Sequence, residues 1–380
     1  MEKMTVNSIE KEFRNYMQFW IKNMINKERN LICPEIAISG ACNWKAEMGS
    51  MYLSRVLYGS SKAYQRLGDN EYKDLAALSF KLLMEFKNPS GGYYWARTYN
   101  MQWVSDEENV NMAQAFVLYG LAEYEKINES PEIRQFVDEQ VSFINEKLIS
   151  GVDQGFIDGL NEYWERGDSI TRSFATHFHT MEALVKVYEN REDVKIKQQI
   201  IKLLHLILDR FIDEKDYFCI HRLTEDWKLI PDENWAGHNA ECSWVICEAA
   251  KAIGDKELMQ RTASMALLMM ERVVMSARDK NNGGYFNIFD NQGNPEAVKS
   301  WWPQAEVALG LINAFKKSAE NSYKELAEEQ ISYIQEKFID KKGEWFASLD
   351  QEGVPDSGTP LIFFWKSMYH TVRYYDYLMA

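Results

Sequence analysis

Histidine is the residue type in this 380-residue chain that is best suited to moving protons near neutral pH, because an unperturbed imidazole has a pKa of about 6.5. Four of the six histidines lie at or near the start of a segment in which apolar residues recur at helical spacing. These four are His177, His179, His238 and His370. The other two, His205 and His221, lack this placement. The first four are therefore the candidates for general acid and base catalysis.

His238 is followed three positions later by Glu241, so the two side chains project from one helical turn. Glu241 could hold the imidazole in one tautomer and raise its basicity, or the pair could bind a metal together with His177 and His179. The sequence has no HExxH motif and no cysteine that complements these histidines, which favours the first interpretation.

Other chemistries have less support. The chain has neither a GxSxG motif nor a GxxxxGK[ST] phosphate loop, so serine nucleophiles and nucleotide hydrolysis are not indicated. A glycosidase requires two opposed carboxylates. The candidates for such a pair are Asp158, Glu162, Asp168, Glu241 and Glu306. Glycoside hydrolysis therefore stays open as an alternative.

Helices must position these residues, because helical periodicity runs through most of the chain. Twelve helices are predicted near 9–27, 46–66, 72–87, 109–126, 131–148, 173–189, 195–213, 239–254, 256–276, 302–317, 321–337 and 363–378. The connectors are rich in glycine and aromatic residues, and their short alternations predict small hairpins. No linker divides the chain, so residues 1–380 are predicted to form a single catalytic domain.

Every second predicted helix opens with a similar pattern of small and aromatic residues, at a period of roughly 57–66 residues. These helices are apolar on more than one face, whereas their partners keep a polar face. Six such pairs predict an all-α (α/α)6 barrel of twelve helices in two concentric layers. A straight superhelix with a concave surface for a protein partner is the alternative.

In such a barrel the starts of the inner helices meet at one mouth, which would gather residues that are distant in sequence. Besides the four histidines, this mouth would receive Arg55, Trp301, Trp302, Glu306 and Trp365. Tryptophan faces pack against the apolar C–H groups of sugars, so the cluster is typical of a carbohydrate site.

Composition limits the partners. The net charge of −14 argues against nucleic acid and anionic membranes. No apolar run approaches the roughly 20 residues that span a bilayer, and the opening residues lack the pattern of a secretion signal, so a cytoplasmic protein is expected. The five cysteines are odd in number and show no CxxC spacing, which predicts reduced, mostly buried thiols.

Five motifs occur in the order SRVLYGSSKAY, HFHTMEA, GHNAECSWVICEAA, KSWWPQAE and WKSMYH. Together they resemble the N-acylglucosamine 2-epimerase superfamily, and specifically its cellobiose 2-epimerase and mannose isomerase branch, over nearly the whole chain. The elements GHxxExxW, WWxQAE and WKxxYH are the specific ones. The resemblance implies an (α/α)6 barrel that acts at carbon 2 of an aldose through an enediolate, with no metal and no organic cofactor.

Carried over by position, the resemblance implies that His238 and His370 are the two general acid/base groups and that His179 assists ring opening. It implies that Arg55 steadies the enediolate and that Glu241 supports His238. The aromatic walls of the sugar site would come from Trp301 or Trp302 and from Trp365. Inversion at carbon 2 needs bases on both faces, whereas isomerisation needs one base between carbons 1 and 2.

Two positions depart from the branch. The family has Asn where this chain has Ala175, and Tyr where it has Met112, and both family residues contact the sugar. We therefore expect a related sugar as the substrate, cellobiose or mannose in type. An aldose/ketose isomerase and a sugar-binding module are the alternatives, and the chain is expected to be a monomer or a homodimer.

Overall fold

Helices form most of the regular structure in a computed structural model of the chain, which describes residues 6–150, 155–290 and 293–380. Those parts of the sequence predictions that fall on residues 1–5, 151–154 and 291–292 lie outside the described residues. The helices are α1 (Val6–Asn23), α2 (Ser50–Leu67), α3 (Asn70–Met84), α4 (Val110–Glu125), α5 (Pro131–Phe143), α6 (Phe174–Arg191), α7 (Val194–Arg210), α8 (Ala236–Ile253), α9 (Lys256–Ala277), α10 (Trp301–Ser318), α11 (Asn321–Tyr333) and α12 (Tyr369–Leu378).

Short antiparallel strands join the helices, as the connectors predict. They are β1 (Ile25–Asn26), β2 (Leu31–Ile32), β3 (Met48–Gly49), β4 (Ala96–Arg97), β5 (Trp103–Val104), β6 (Asp158–Leu160), β7 (Arg166–Ser173), β8 (Arg222–Thr224), β9 (Asn234–Trp235), β10 (Ile288–Phe289), β11 (Val298–Ser300) and β12 (Ser348–Asp350). β1 pairs with β2, β3 and β5 flank β4, β6 pairs with β7, β9 with β10, and β11 with β12.

The chain forms two compact units. The first consists of Met1–Thr171, Lys341–Glu344 and Thr359–Ala380, and the second of Arg172–Asp340 and Trp345–Gly358. In the first unit, α2 packs against α3, α4 and α12. In the second, α8 packs against α9 and α10. The prediction of a single catalytic domain stays a prediction.

Burial alternates along the chain as the periodicity predicts. In α4 every residue is buried, and α8 and α10 are buried on most faces. In α7, by contrast, the buried residues form one stripe. A helix that is apolar on several faces must be covered on several faces, so the even-numbered helices are the interior ones of each unit.

Amide side chains fix the starts of interior helices to the hairpins before them. In α4, Gln114 Nε2 donates to the Tyr93 carbonyl (2.8 Å), and Gln114 Oε1 accepts from the Tyr93 N–H (2.9 Å). In α10, Gln304 repeats the pair of bonds with Tyr285, at 2.7 and 3.0 Å. Asn239 of α8 bonds in the same way to the hairpin that precedes it. Each bond satisfies a buried backbone group, so each helix start is held in one place.

The last helix begins later than the sequence predicts. The predicted segment 363–378 starts helical only at Tyr369, because the backbones of Phe363 and Lys366 hydrogen-bond to each other in a turn. The Lys366 ammonium also donates to the Leu361 carbonyl (2.6 Å). Similarly, the first helix ends at Asn23 instead of residue 27, because Ile25–Asn26 pairs with β2.

The prediction that all five cysteines are reduced is wrong for two of them. Cys33 and Cys42 form a disulfide with a Cα–Cα distance of 6.2 Å, whereas Cys219, Cys242 and Cys247 are buried free thiols. An antiparallel bridge between Ile36 and Cys42 folds the intervening loop back, so a separation of nine residues is closed by a turn that spacing alone does not reveal. Among the described residues, the helices are too short or too polar to cross a bilayer.

Candidate active site

His238 is the third residue of α8 in the second unit, and the helix start beneath it is closely held. The strand β9 pairs with β10 and leads directly into α8. Asn287 accepts the first helical N–H groups, through its carbonyl from Ala236 (2.8 Å) and through Oδ1 from Gly237 (3.1 Å). These bonds satisfy amide groups that a helix leaves without internal partners. The backbone that carries His238 is therefore fixed.

Aromatic rings surround the His238 imidazole, which is half-buried. It stacks on Trp235 with centroids 5.2 Å apart and planes at 7°, and Trp302 lies 5.0 Å away. Trp302 can approach because residue 237 is glycine: a Cβ there would lie 2.5 Å from the Trp302 ring. The His238 imidazole is therefore packed against two indole rings.

His221 is the hydrogen-bond partner of His238, and the sequence reasoning missed it. The distance from His238 Nδ1 to His221 Nε2 is 3.0 Å, and His221 Nδ1 lies 3.1 Å from the Glu233 carbonyl oxygen. Burial lowers the pKa of His221 from 6.5 to about 4, although Asp232 and the Glu233 carbonyl act in the opposite direction. His221 precedes β8 in an extended segment, so helical spacing gave no signal for it.

His179 and Glu241 come together in the second unit. His179 Nδ1 lies 2.7 Å from Glu182 Oε2, and both side chains are largely buried. Side-chain ligand atoms of His179, Glu182 and Glu241 all lie within 4.8 Å of one another. This group has the residue types of a cation site, and within it His179 and Glu182 are joined by a hydrogen bond.

His177 does not join that group. The helix α6 begins after Ser173, whose side chain accepts from the Thr176 N–H (3.1 Å). His177 Nδ1 lies 2.7 Å from the Ser173 carbonyl oxygen, and its ring packs 4.6 Å from Phe211. The side chain is fully buried, so its described contacts are those of a satisfied packing residue.

The two tryptophans at the start of α10 have different environments. Trp302 lies against His238, whereas the Trp301 side chain is buried and the Trp301 backbone N–H donates to the Ala347 carbonyl (3.0 Å). One turn later, Glu306 is fully buried and accepts from the Trp244 indole N–H (3.0 Å). Of the pair Trp301 and Trp302, it is Trp302 that borders the His238 imidazole.

In the first unit, Arg55, Trp365 and His370 lie around one aromatic core. Arg55 donates to the Trp365 carbonyl (2.9 Å), and its guanidinium lies 4.1 Å above the Phe116 ring and 5.5 Å from the Tyr369 ring. His370 is the second residue of α12, and its ring centroid is 4.7 Å from that of Tyr369. The guanidinium is thus a fixed cation in largely apolar surroundings, where its field is strong.

Trp365 differs from Arg55 and His370 in solvent exposure. Trp365 is 42% exposed, whereas Arg55 and His370 are buried at 7% and 8%. An exposed indole beside buried polar groups is typical of the rim of a ligand site. Met112 and Ala175, the two departures from the family pattern, lie on α4 and α6, and Met112 is buried.

Comparison with known proteins identifies the family. Residues 36–373 match the model of the N-acylglucosamine 2-epimerase family. A cellobiose 2-epimerase of Dictyoglomus turgidum is 28% identical over 341 residues, which are 86% of each chain. The solved cellobiose 2-epimerase of Bacillus thermoamylovorans B4167 superposes with a TM-score of 0.90 at 24% identity, over 98% of this chain and 99% of that one.

A solved D-mannose isomerase is also similar, with a TM-score of 0.89 at 16% identity over 100% of this chain and 98% of the other. These likenesses confirm the predicted fold class, an all-α (α/α)6 barrel. The family prediction made from the five motifs is confirmed as well: the chain belongs to the N-acylglucosamine 2-epimerase family.

Proposed function

We propose that this protein is a sugar 2-epimerase, an isomerase that interconverts the C2 epimers of a reducing aldose or of a β-1,4-linked disaccharide through an enediolate. The observation that carries the proposal is the setting of His238, whose imidazole is bonded at Nδ1 and packed between two indoles at a fixed helix start. The curated relatives of this chain, named as cellobiose 2-epimerases, support the same reaction.

In the proposed reaction, His238 and His370 act as the two acid/base groups. One removes the C2 proton, the C–H electron pair forms the enediolate, and the other returns a proton to the opposite face of C2. His179, bonded to Glu182, moves the proton that opens the sugar ring. Arg55 stabilises the enediolate oxygens without changing its own protonation.

The remaining site residues are proposed to shape and orient the sugar. Trp302 and Trp365 offer indole faces to its C–H groups, and Glu241 supports the acid/base histidine from the same helix. Glu306 is held by Trp244 and contributes a fixed carboxylate. The other two residues, His177 and Trp301, are buried and contribute through packing.

The test is deuterium exchange in heavy water with glucose, mannose and cellobiose, followed by NMR. An epimerase places deuterium at C2 and produces the C2 epimer. If none of the three sugars gains deuterium at C2, the proposal is refuted. The variants His238→Asn and His370→Asn each lower epimerisation by about 10²–10⁴-fold. Because each base serves one face, a single variant keeps exchange from the face of the remaining base.

An aldose/ketose isomerase is the second candidate, favoured by the likeness to D-mannose isomerase. A single base that moves a proton between C2 and C1 is sufficient for that reaction. Isomerisation would be favoured over epimerisation if a ketose accumulates as the main product. One of the two histidine variants should then be inactive and the other should keep its activity. Release of new reducing ends from an oligosaccharide would instead indicate a glycoside hydrolase.

The substrate is proposed to be cellobiose or mannose in type, with altered preference because of Ala175 and Met112. A pocket that lacks two hydrogen-bonding groups loses discrimination for the hydroxyls they would bind. The variants Ala175→Asn and Met112→Tyr should therefore change the order of preference among glucose, mannose and cellobiose. They should raise kcat/KM for a sugar on which the wild-type protein is less active. Unchanged ratios among the three sugars would contradict this assignment.

We further propose that residues 1–380 act as one catalytic domain, as a monomer or homodimer in the cytoplasm. The family match over residues 36–373 supports a single functional segment. Sedimentation velocity decides the oligomeric state, and a species larger than a dimer would contradict the proposal. Cell fractionation tests the location, and recovery of the protein outside the cytosol would contradict the proposal.

A further inference from the structure

We propose that His221 is a positioning residue that fixes the tautomer of His238, so that Nε2 of His238 is the nitrogen that accepts the substrate proton. The inference rests on the proposed function for its catalytic consequence. Its structural part concerns only the imidazole pair and the Glu233 carbonyl.

The direction of the hydrogen bonds follows from the Glu233 carbonyl, which can only accept. His221 Nδ1 lies 3.1 Å from that oxygen and therefore carries the proton of a neutral ring. His221 Nε2 is then an acceptor, so the 3.0 Å contact with His238 requires the proton to lie on His238 Nδ1. In the neutral His238 ring, Nε2 is consequently the unprotonated nitrogen.

The His221–His238 pair is held in place by the segment that carries His221 and by Trp235. The His221 carbonyl accepts from the Phe174 N–H (2.9 Å), which ties this extended segment to the start of α6. Trp235 contacts both rings, stacked on His238 and edge-on to His221 at 5.5 Å. The two imidazoles cannot rotate without disturbing this packing, so the orientation is built in before substrate binds.

His221 stays neutral while His238 changes charge. Burial lowers the pKa of His221 to about 4, and the charged residues near it include Glu233, Asp232 and Arg222, of which the last two pair at 3.8 Å. When His238 Nε2 takes the C2 proton, the C–H electron pair passes into the enediolate and His238 becomes an imidazolium. Its Nδ1–H continues to donate to His221, so no second proton transfer is needed.

The first experiment reads the tautomer directly. Nitrogen-15 NMR of the full-length protein at pH 7.5 should show a protonated Nδ1 and an unprotonated Nε2 for His238, and the same pattern for His221, whose Nε2 is the acceptor. In His221→Leu, which removes the acceptor, His238 should become a mixture of tautomers. In His221→Gln, whose amide oxygen can accept, the wild-type tautomer should persist. A protonated Nε2 on wild-type His238 would overturn the proposal.

The second experiment reads catalysis. His221→Leu should lower kcat for C2 exchange by about 10- to 100-fold with KM changed less than about threefold, because positioning affects the transition state more than sugar binding. His221→Gln should recover most of kcat, which a purely structural role would not explain. His205→Gln, on the exposed side of α7 beside Arg261, is the matched control and should leave both readouts unchanged.

The outcomes separate the two proposals. If no aldose exchanges but the NMR pattern is as stated, the function fails and the tautomer assignment stands. If wild type exchanges C2 and both His221 variants keep full kcat, the positioning role is refuted while the function stands. If His221→Leu fails to fold, the wild-type NMR spectrum and the His221→Gln variant still test whether His221 fixes the tautomer of His238.

Discussion

Replacing His221 by glutamine should change how the stability of the protein depends on pH. In the folded state the pKa of His221 is lowered from 6.5 to about 4 by burial. As pH falls below 6.5, the unfolded chain binds a proton at this position and the folded protein does not. Stability is therefore lost between pH 6.5 and about 4, and is fully retained above pH 6.5.

The magnitude follows from one pKa unit being worth about 1.4 kcal/mol. At pH 5 the loss is about 2 kcal/mol, and it levels off near about 3 kcal/mol around pH 4. For a chain of this length, an unfolding entropy of about 2 cal/mol/K per residue converts 2 kcal/mol into a Tm shift of about 2–3 °C. Glutamine does not titrate, so His221→Gln removes this component only.

The assay is differential scanning calorimetry of wild type and His221→Gln at pH 7.5 and pH 5.0. All other titrating groups are shared, so the difference in Tm between the two proteins isolates His221. The variant should gain about 2–3 °C relative to wild type on moving to pH 5.0. An equal difference at the two pH values would show that the folded protein binds this proton as readily as the unfolded chain, and the reasoning would be wrong.

Three further substitutions test other parts of the structure. Gly237→Ala places a Cβ 2.5 Å from the Trp302 ring, so Trp302 should leave the His238 imidazole and kcat for C2 exchange should fall by about 10-fold or more. Lys366→Met removes the partner that lies 2.7 Å from buried Glu344, which should cost about 3–5 kcal/mol, read as a fall in Tm. Gln304→Ala leaves the buried backbone N–H and carbonyl of Tyr285 without their partner in α10, and should cost about 1–3 kcal/mol in urea unfolding.

The first two of these substitutions have an internal control. Gly358→Ala meets only an ordinary contact at 3.4 Å and should leave exchange unchanged, so an equal effect of both glycine variants would reject the Trp302 argument. The double variant Lys366→Met, Glu344→Gln removes both charges and should recover stability relative to Lys366→Met. A double variant as unstable as Lys366→Met alone would mean that the charge left on Glu344 is not the cause.

Helical periodicity predicted the elements well because it reports burial, and burial here differs strongly between alternate helices. All twelve predicted helices have a counterpart among the described residues. The errors lie at ends, where hydrogen bonds replace periodicity as the deciding factor. The turn at Phe363 and Lys366 delays α12, although the apolar pattern through that turn continues unbroken.

Site residues that lie on helices could be predicted from the sequence, whereas those in connectors could not. His238 and His370 lie near the starts of α8 and α12 as predicted, although α12 begins at Tyr369 and not at residue 363. His221 lies in a connector, and its meaning depends on a contact with His238 that is formed only by folding. The Cys33–Cys42 disulfide was missed for the same reason, since a hairpin and not a spacing rule closes it.

The second unit therefore divides the control of one proton between two kinds of structure. The helix α8 carries His238 and fixes its backbone through the amide bonds of Asn239 and Asn287. The hairpin segment carries His221 and the Glu233 carbonyl, which determine the ring nitrogen that bears the proton. An insertion between His221 and Glu233 would separate the imidazole from the carbonyl that fixes its proton, so it should lower kcat through the tautomer of His238.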